Sequence, residues 1–291
     1  MIVSASVFAQ GAGNTGLSFL KIGFGARNLA MGDLGVTSAN DLTALYYNPA
    51  LLSQAETGQI FVTHNEWIQD VTSELLGANF SIFGLPFAIG LNTTSVSGFE
   101  IRTKPTQQPD ATFNVYYFYG SLSTAFNVIK NLSAGLTIKY LNENILSDEA
   151  SGLGFDIGLH YKDIIPGLNA GAAIRNLGSM NQLRNQSTKL PVDLRAGLGY
   201  NFRSDKLNSL ITITGGVQKY TEANDTHFLF GSEVLYNKLF ALRLGYMTGY
   251  ESKGITAGAG VLWNKLNFDY AFTPFDFGLG SSHTISLMYT F

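Results

Sequence analysis

Residues 153 to 162 read Leu-Gly-Phe-Asp-Ile-Gly-Leu-His-Tyr-Lys: Leu153, Phe155, Ile157, Leu159 and Tyr161 are apolar, and Gly154, Asp156, Gly158, His160 and Lys162 between them are small or polar. A period of two places the two sets on opposite faces of a β-strand. The pattern recurs along the chain. Val192, Leu194, Ala196, Leu198, Tyr200 and Phe202 alternate with Asp193, Arg195, Gly197, Gly199, Asn201 and Arg203. Leu266, Phe268, Tyr270 and Phe272 oppose Asn267, Asp269, Ala271 and Thr273. A soluble sandwich would alternate too, but its polar faces would be charged. Here those faces are mostly Gly, Ser, Thr and Asn with isolated charges, which suits a packed barrel lumen better than open water.

Composition agrees. Only 13% of the 291 residues are charged, against roughly 25% in an ordinary soluble domain. The 32 Gly, 14 Tyr and 21 Phe would leave such a surface poorly solvated in water. A formal net charge of -3 provides no basic field for phosphates, so nucleic acid is disfavoured as a partner. The absence of cysteine removes disulfides and thiolate metal sites. Phe80 to Phe99 and Ala111 to Ile129 are uncharged and long enough to suggest membrane helices, but Gly84, Pro86, Gly90 and Asn92 in the first and alternation in the second identify strands.

The resulting expectation is an all-β fold: a closed transmembrane β-barrel of about fourteen antiparallel strands, with an N-terminal hatch in its lumen. The strands are placed at 58–67, 73–83, 86–99, 111–127, 131–144, 151–162, 167–177, 190–203, 208–221, 225–236, 239–250, 253–263, 265–275 and 281–291. Short connections such as Gly84-Leu85, Asn237-Lys238 and Asn264 alternate with longer polar ones at Ile101 to Asp110, Ile145 to Ala150 and Gly178 to Lys189. This is the asymmetry of an outer-membrane barrel, whose short turns face the periplasm. Tyr161, Tyr200, Phe202, Tyr236 and Trp263 lie near strand ends, where an aromatic girdle would place them. The last strand alternates Ile285, Leu287, Tyr289 and Phe291 with polar residues and ends the chain on an aromatic. It resembles the C-terminal signal read by the bacterial barrel-assembly machinery.

Three segments organise the chain. Residues 1–9 end in Val7-Phe8-Ala9 and are expected to be the remainder of a signal peptide, a plain disordered terminus being the alternative. Residues 10–57 form the expected hatch, or plug, and residues 58–291 the barrel. Within 10–57, Asn40 or Asp41 is expected to cap a short helix over Leu42 to Tyr47, and Pro49 to open another. A periplasmic linker is the other reading, although the segment is apolar for one.

At these residues the sequence resembles a known family. Gly25-Ala26-Arg27, Met31-Gly32, Asn40-Asp41 and Ala44-Leu45-Tyr46-Tyr47-Asn48-Pro49-Ala50 look like the opening of the PorV/PorQ family, within the FadL-like barrel superfamily. The likeness continues through Lys139-Tyr140-Leu141, Arg175-Asn176-Leu177-Gly178, Leu190-Pro191, Leu244-Gly245-Tyr246 and Tyr270-Ala271-Phe272, nearly the whole chain. It implies an integral protein of the bacterial outer membrane, in contact with its lipid, with both chain ends periplasmic and Asn48, Pro49 and Ala50 as a hatch motif. It further implies a role in type IX protein secretion, with translocon or attachment subunits and cargo C-terminal domains as partners. PorV-like and PorQ-like roles are not separated. FadL relatives instead admit hydrophobic compounds, which is the alternative function.

No cofactor or metal is expected. His64, His160, His227 and His283 fall in four strands without ligand spacing, no nucleophile elbow appears, and the Gly-x-Gly pairs lie inside strands. An enzyme is not expected. By strand parity Lys139, Asp156, Asp193, Arg195, Glu233, Arg243 and Asp269 face the lumen, and Arg27 lies in the hatch beside them. Such charges are costly unless paired. They form either a structural network or a solute path.

Overall fold

The computed structural model describes residues 15–222 and 225–291. The expected signal peptide, 1–9, and the first residues of the expected hatch lie outside them. The described residues contain sixteen strands: β1 (Gln59–Glu66), β2 (Val71–Ile82), β3 (Leu85–Ile101), β4 (Ala111–Ile129), β5 (Leu132–Ile145), β6 (Asp148–Ile165), β7 (Leu168–Met180), β8 (Gln182–Leu183), β9 (Gln186–Ser187), β10 (Asp193–Ser204), β11 (Ser209–Tyr220), β12 (Asp225–Tyr236), β13 (Phe240–Met247), β14 (Ile255–Trp263), β15 (Leu266–Phe275) and β16 (Gly280–Thr290). Fourteen pair antiparallel into a closed barrel, β8 and β9 forming a separate small hairpin. Closure runs from Gln59 opposite Thr290 to Glu66 opposite His283. A sheet closed in this way has no unpaired edge to satisfy in lipid.

Alternation decides which face each residue takes. On β1 Gln59, Phe61, Thr63 and Asn65 are buried toward the lumen, while Ile60, Val62, His64 and Glu66 are exposed on the outer face. Ile157 and Leu159, Leu242 and Leu244, and Ile285 and Leu287 stand exposed on the outer wall. This is the apolar band expected of a barrel wrapped in lipid. Among the described residues no helix is long and apolar enough to cross a membrane.

One rim carries most of the tight turns together with Gly58 and Phe291, whose backbones are hydrogen bonded at 2.8 Å. Asn237 and Lys238 there both take positive φ, 52° and 56°, and Leu239 N closes the turn on Tyr236 O at 2.9 Å, the primed turn geometry whose twist matches the flanking strands. Tyr161, Tyr200, Tyr236 and Trp263 are exposed near this terminal rim. The opposite, loop rim carries 102–110 and 181–192. The expected long loop Ile145 to Ala150 is instead a turn of Leu146 and Ser147, because β5 and β6 continue into polar sequence with Asn142 donating to Glu149 at 2.7 Å. Beyond the apolar band, polar residues do not signal chain reversal.

Residues 15–57 run through the lumen from one rim to the other. Gly16 N donates to Lys189 O at the loop rim, and Asn79 Nδ2 to Glu56 O at the terminal rim. Between them lie 3-10 turns Ser18–Lys21 and Pro49–Ser53 and short helices α1 (Ala26–Ala30) and α2 (Ala44–Tyr47). The expected helix over Leu42 to Tyr47 is thus shorter, and neither Asn40 nor Asp41 caps it. Thr43 holds the cap position while Asp41 Oδ1 accepts from Thr43 N at 2.8 Å. Because the segment spans the lumen before joining β1, Thr15 and Phe291 lie at opposite rims, and the N-terminal end for which a periplasmic place is expected lies outside the described residues. Its apolar side chains Leu17, Phe19, Phe24, Leu45 and Tyr46 pack on Tyr119 and Leu141 of the wall as the principal core. Phe24 meets Tyr46 edge-on, with centroids 4.5 Å apart.

Candidate functional site

The polar interior is organised by where the lumen segment touches the wall. Asn48 is fully buried and uses all its amide capacity but one lone pair. Its Nδ2 donates to Val36 O at 2.9 Å and to Leu159 O of β6 at 3.0 Å, and its Oδ1 accepts from Ala50 N at 3.1 Å. Asn48 thereby caps the 3-10 turn that Pro49 opens. The wall opposite is glycine. A Cβ on Gly158 would overlap Asn48 Oδ1, and one on Gly135 would overlap Ala50 N and the Pro49 carbonyl carbon.

The charges expected in the lumen all lie there, in separate groups, and all but the partly exposed Arg27 are buried. Near the terminal rim Arg27 donates from Nε and Nη2 to the two oxygens of Glu233, at 2.9 and 2.8 Å. Its Nη1 donates to Ser38 O and Asn40 Oδ1, each at 2.8 Å, so one guanidinium also ties its own segment together. Arg243, the cross-strand neighbour of Glu233, donates to Glu233 Oε2 at 2.6 Å and to Asp269 Oδ1 at 2.7 Å. This group faces a cavity of about 630 Å³ between segment and wall, whose lining includes Asp41, Glu56, Lys238 and Lys265.

The second group lies deeper. Arg195 Nε and Arg175 Nη1 both reach Asp193 Oδ2, at 2.9 and 3.1 Å, and Gln218 Nε2 joins them at 3.1 Å. Arg195 Nη1 donates to the Asp33 carbonyl, and Tyr47 Oη donates to Asp33 Oδ1 at 2.7 Å. The Arg175 guanidinium stacks 3.8 Å from the Tyr46 ring centroid, a contact that aids an ion removed from water. Beside it Lys139 Nζ is 2.6 Å from Asp156 Oδ2 and donates to Asn176 Oδ1 at 3.0 Å.

Two charged members of this group, Arg175 and Asp33, were not among the lumen charges expected from sequence. Arg175 lies on β7, whose preceding residues Asn169-Ala170-Gly171-Ala172-Ala173 are too uniformly small for hydrophobicity to set the phase. Arg175 and Asn176 together oppose Asp156 in a bulge that turns both inward, with Asn176 at φ 60°. Asp33 lies in the lumen segment, which has no periodicity to read. The histidines are dispersed: His160 bonds Gln54 at 2.7 Å, His227 stacks on Tyr250, and His64 and His283 are on the outer wall. Among the described residues no three His, Asp or Glu side chains could together hold a metal.

Outside, Ala172 of β7 and Ala196 of β10 are paired across the ladder, and the bulkier Ile157, Leu159 and Leu194 around them leave an apolar hollow of about 460 Å³. It borders the β6–β7 seam, whose register shifts twice, between Phe155 and Ile157 and between Tyr161 and Ile165.

The fold that carries these groups is a closed barrel of fourteen antiparallel strands with apolar side chains on its outer face. No family model and no curated protein matches the chain. Solved structures do. The Ralstonia pickettii toluene transporter TbuX superposes with a TM-score of 0.62 at 15% identity, covering 92% of this chain and 98% of that one. The CymD monoaromatic hydrocarbon channel gives 0.64 at 14% identity, with the same coverage. A Pseudomonas aeruginosa FadL homologue gives 0.52 at 14%, covering 91% and 98%. At such identity the likeness establishes the shared fold. Nothing in these comparisons names a PorV/PorQ protein or type IX secretion.

Proposed function

We propose that this chain is an integral outer-membrane barrel that admits hydrophobic compounds, the transport reading taking precedence over a role in type IX secretion. The observation that carries it is the apolar hollow on the outer wall at the β6–β7 seam. Ala172 and Ala196 make room there for a small apolar molecule, at the seam where strand pairing is least regular, so a solute would exchange between wall and bilayer without a water-filled bore. The toluene and monoaromatic transport stated of the structures that share the fold is consistent with such cargo. In the wild-type chain, uptake of a labelled monoaromatic hydrocarbon by cells should exceed that of an Ala196→Trp chain, which fills the hollow from the lipid side. Equal uptake by both would remove this reading.

A second reading is favoured by the lumen itself. Most of the segment is buried against the wall, its Arg27 and Asp33 are ion-paired there, and the cavity left beside it is lined by several charged residues. As a hatch so seated, it would make the barrel a platform for partners at its rims, such as type IX subunits or cargo C-terminal domains. Loss of secretion of proteins with a shared C-terminal β-domain in a deletion strain would support this reading over transport.

A further inference from the structure

Arg175, opposite Asp193, is the last residue of β7 to pair with β10. Beyond it, as far as Met180, β7 pairs along β6 alone among the described residues. The β6–β7 register breaks at this same level: Phe155 faces Leu177, Ile157 faces Ile174, and Asp156 stands against both Arg175 and Asn176. A bulge of this kind disrupts the ladder locally. Side chains fill the place. Asn176 N donates to Asp156 Oδ1 at 2.8 Å, and Lys139 Nζ of β5 lies 2.6 Å from Asp156 Oδ2 while donating to Asn176 Oδ1 at 3.0 Å. Asn176 Nδ2 donates to Pro191 O at 3.1 Å, so the knot ties β5, β6, β7 and the chain entering β10 together.

This polar knot lies between two apolar regions. On the lumen side Lys139 Nζ is 5.8 Å from the ring centroid of Tyr119, which belongs with Leu141 to the principal core. On the outer wall the first regular pair past the bulge, Ile157 and Ile174, lines the hollow made by Ala172 and Ala196. Ala173 and Arg195, whose side chains are buried on the lumen side, line it too, so the hollow reaches the backbone of the wall. Lys139 and Asp156 are 1% and 0% exposed. An ion pair taken this far out of water gains little over apolar residues of the same volume, so stability alone is a weak reason for one here.

We propose that Lys139, Asp156 and Asn176 close a portal in the β6–β7 seam, through which an apolar solute passes between the lumen and the outer hollow. The inference rests on the transport reading and adds to it the residues that control passage. The portal opens when Asn176 N leaves Asp156 Oδ1, because β7 beyond Arg175 has no second ladder to hold it. Lys139 is a positioning residue. Its ammonium holds Asp156 Oδ2 and Asn176 Oδ1 at once, which keeps the carboxylate aimed at Asn176 N.

The chain has no cysteine, so a pair introduced across the seam is read without background. Phe155→Cys with Leu177→Cys joins facing residues beside the bulge that do not line the hollow. Facing residues of an antiparallel pair are within disulfide reach. Uptake of labelled toluene by cells carrying the oxidised pair should fall to that of cells without the barrel, and a reductant should restore it. Phe155→Cys alone should show no such dependence, and neither would a pair of ions that serves only the fold. Lys139→Met with Asp156→Val removes both ions together and should raise uptake several-fold while heat-modifiable barrel persists. The staple keeps the native ions, so its result stands whether or not that variant folds. Equal uptake by the oxidised and reduced pair, with uptake still lost in Ala196→Trp, would overturn the portal and leave the transport reading standing. Uptake indifferent to Ala196→Trp as well would remove both.

Discussion

Asn48 Oδ1 occupies the space that a β-carbon on Gly158 would need, although the two residues lie on different segments and Gly158 is in the middle of β6. One missing methyl lets the amide reach the wall carbonyl of Leu159 and hold the lumen segment in place. Gly158→Ala should therefore overpack the contact, at a cost of about 1 to 3 kcal/mol. Gly154→Ala is the control: its β-carbon would meet Leu141 Cδ1 at 3.5 Å and Lys139 Cβ at 3.6 Å, ordinary packing distances. Hydrogen exchange in residues 15–57 should rise for the first variant and not for the second. Equal exchange in both would show that Asn48 does not fix the segment.

The two charge groups should differ in how much they hold. Arg195 lies between Asp193 and Asp33 with almost no solvent access, so Arg195→Ala leaves Asp33 with no cation and Asp193 with only Arg175 and Gln218, and should cost about 3 to 5 kcal/mol. Arg27 is 18% exposed beside the terminal-rim cavity, and Arg243 still holds Glu233 in its absence. Arg27→Ala should sit at or below the lower end of that range, about 3 kcal/mol. Denaturant midpoints of the refolded barrels give the order. A larger loss for Arg27→Ala would mean that the segment is anchored from the terminal rim.

Asp110 gives the loop 102–110 a pH dependence. Its Oδ2 accepts from Thr103 N at 2.6 Å and from Thr103 Oγ1 at 2.8 Å, the backbone bond being the main reason its carboxyl is held below the ordinary value. A carboxyl lowered on folding contributes order that is complete above the ordinary carboxylate pKa and is lost as pH falls through the lowered value. Backbone resonances of 102–110 should stay unchanged from neutral pH down to the ordinary carboxylate range and shift together below it. Asp110→Asn should remove that transition, and its persistence in the variant would assign it to another group.

Phe291 N is bonded to Gly58 O where the barrel closes, and Ile285, Leu287 and Tyr289 face outward behind it. If this strand is also the insertion signal, deleting Phe291 should sharply lower the heat-modifiable barrel in outer membranes. Refolding from urea into detergent should be affected far less. Equal loss in both would make Phe291 a structural residue alone.

The barrel was legible because its strands alternate large apolar residues with small or polar ones, and most of the inward charges follow from that parity. Parity failed at β7, where small residues on both faces leave no phase and a bulge turns Arg175 and Asn176 inward together. Asp33 and the contact of Asn48 with Gly158 belong to an aperiodic segment, so only the folded chain brings them to the wall. The alanine hollow was equally silent, since Ala172 and Ala196 become neighbours only through strand register.

The most direct test of the transport account is uptake of a labelled monoaromatic hydrocarbon by the native host and its deletion strain. Export of proteins carrying a C-terminal β-domain is followed in the same cultures. The account predicts that deletion lowers uptake, that the wild-type chain restores it, that Ala196→Trp does not, and that export is unchanged throughout. Normal uptake in the deletion strain, with those proteins retained in the periplasm, would contradict it and leave the barrel as a secretion partner.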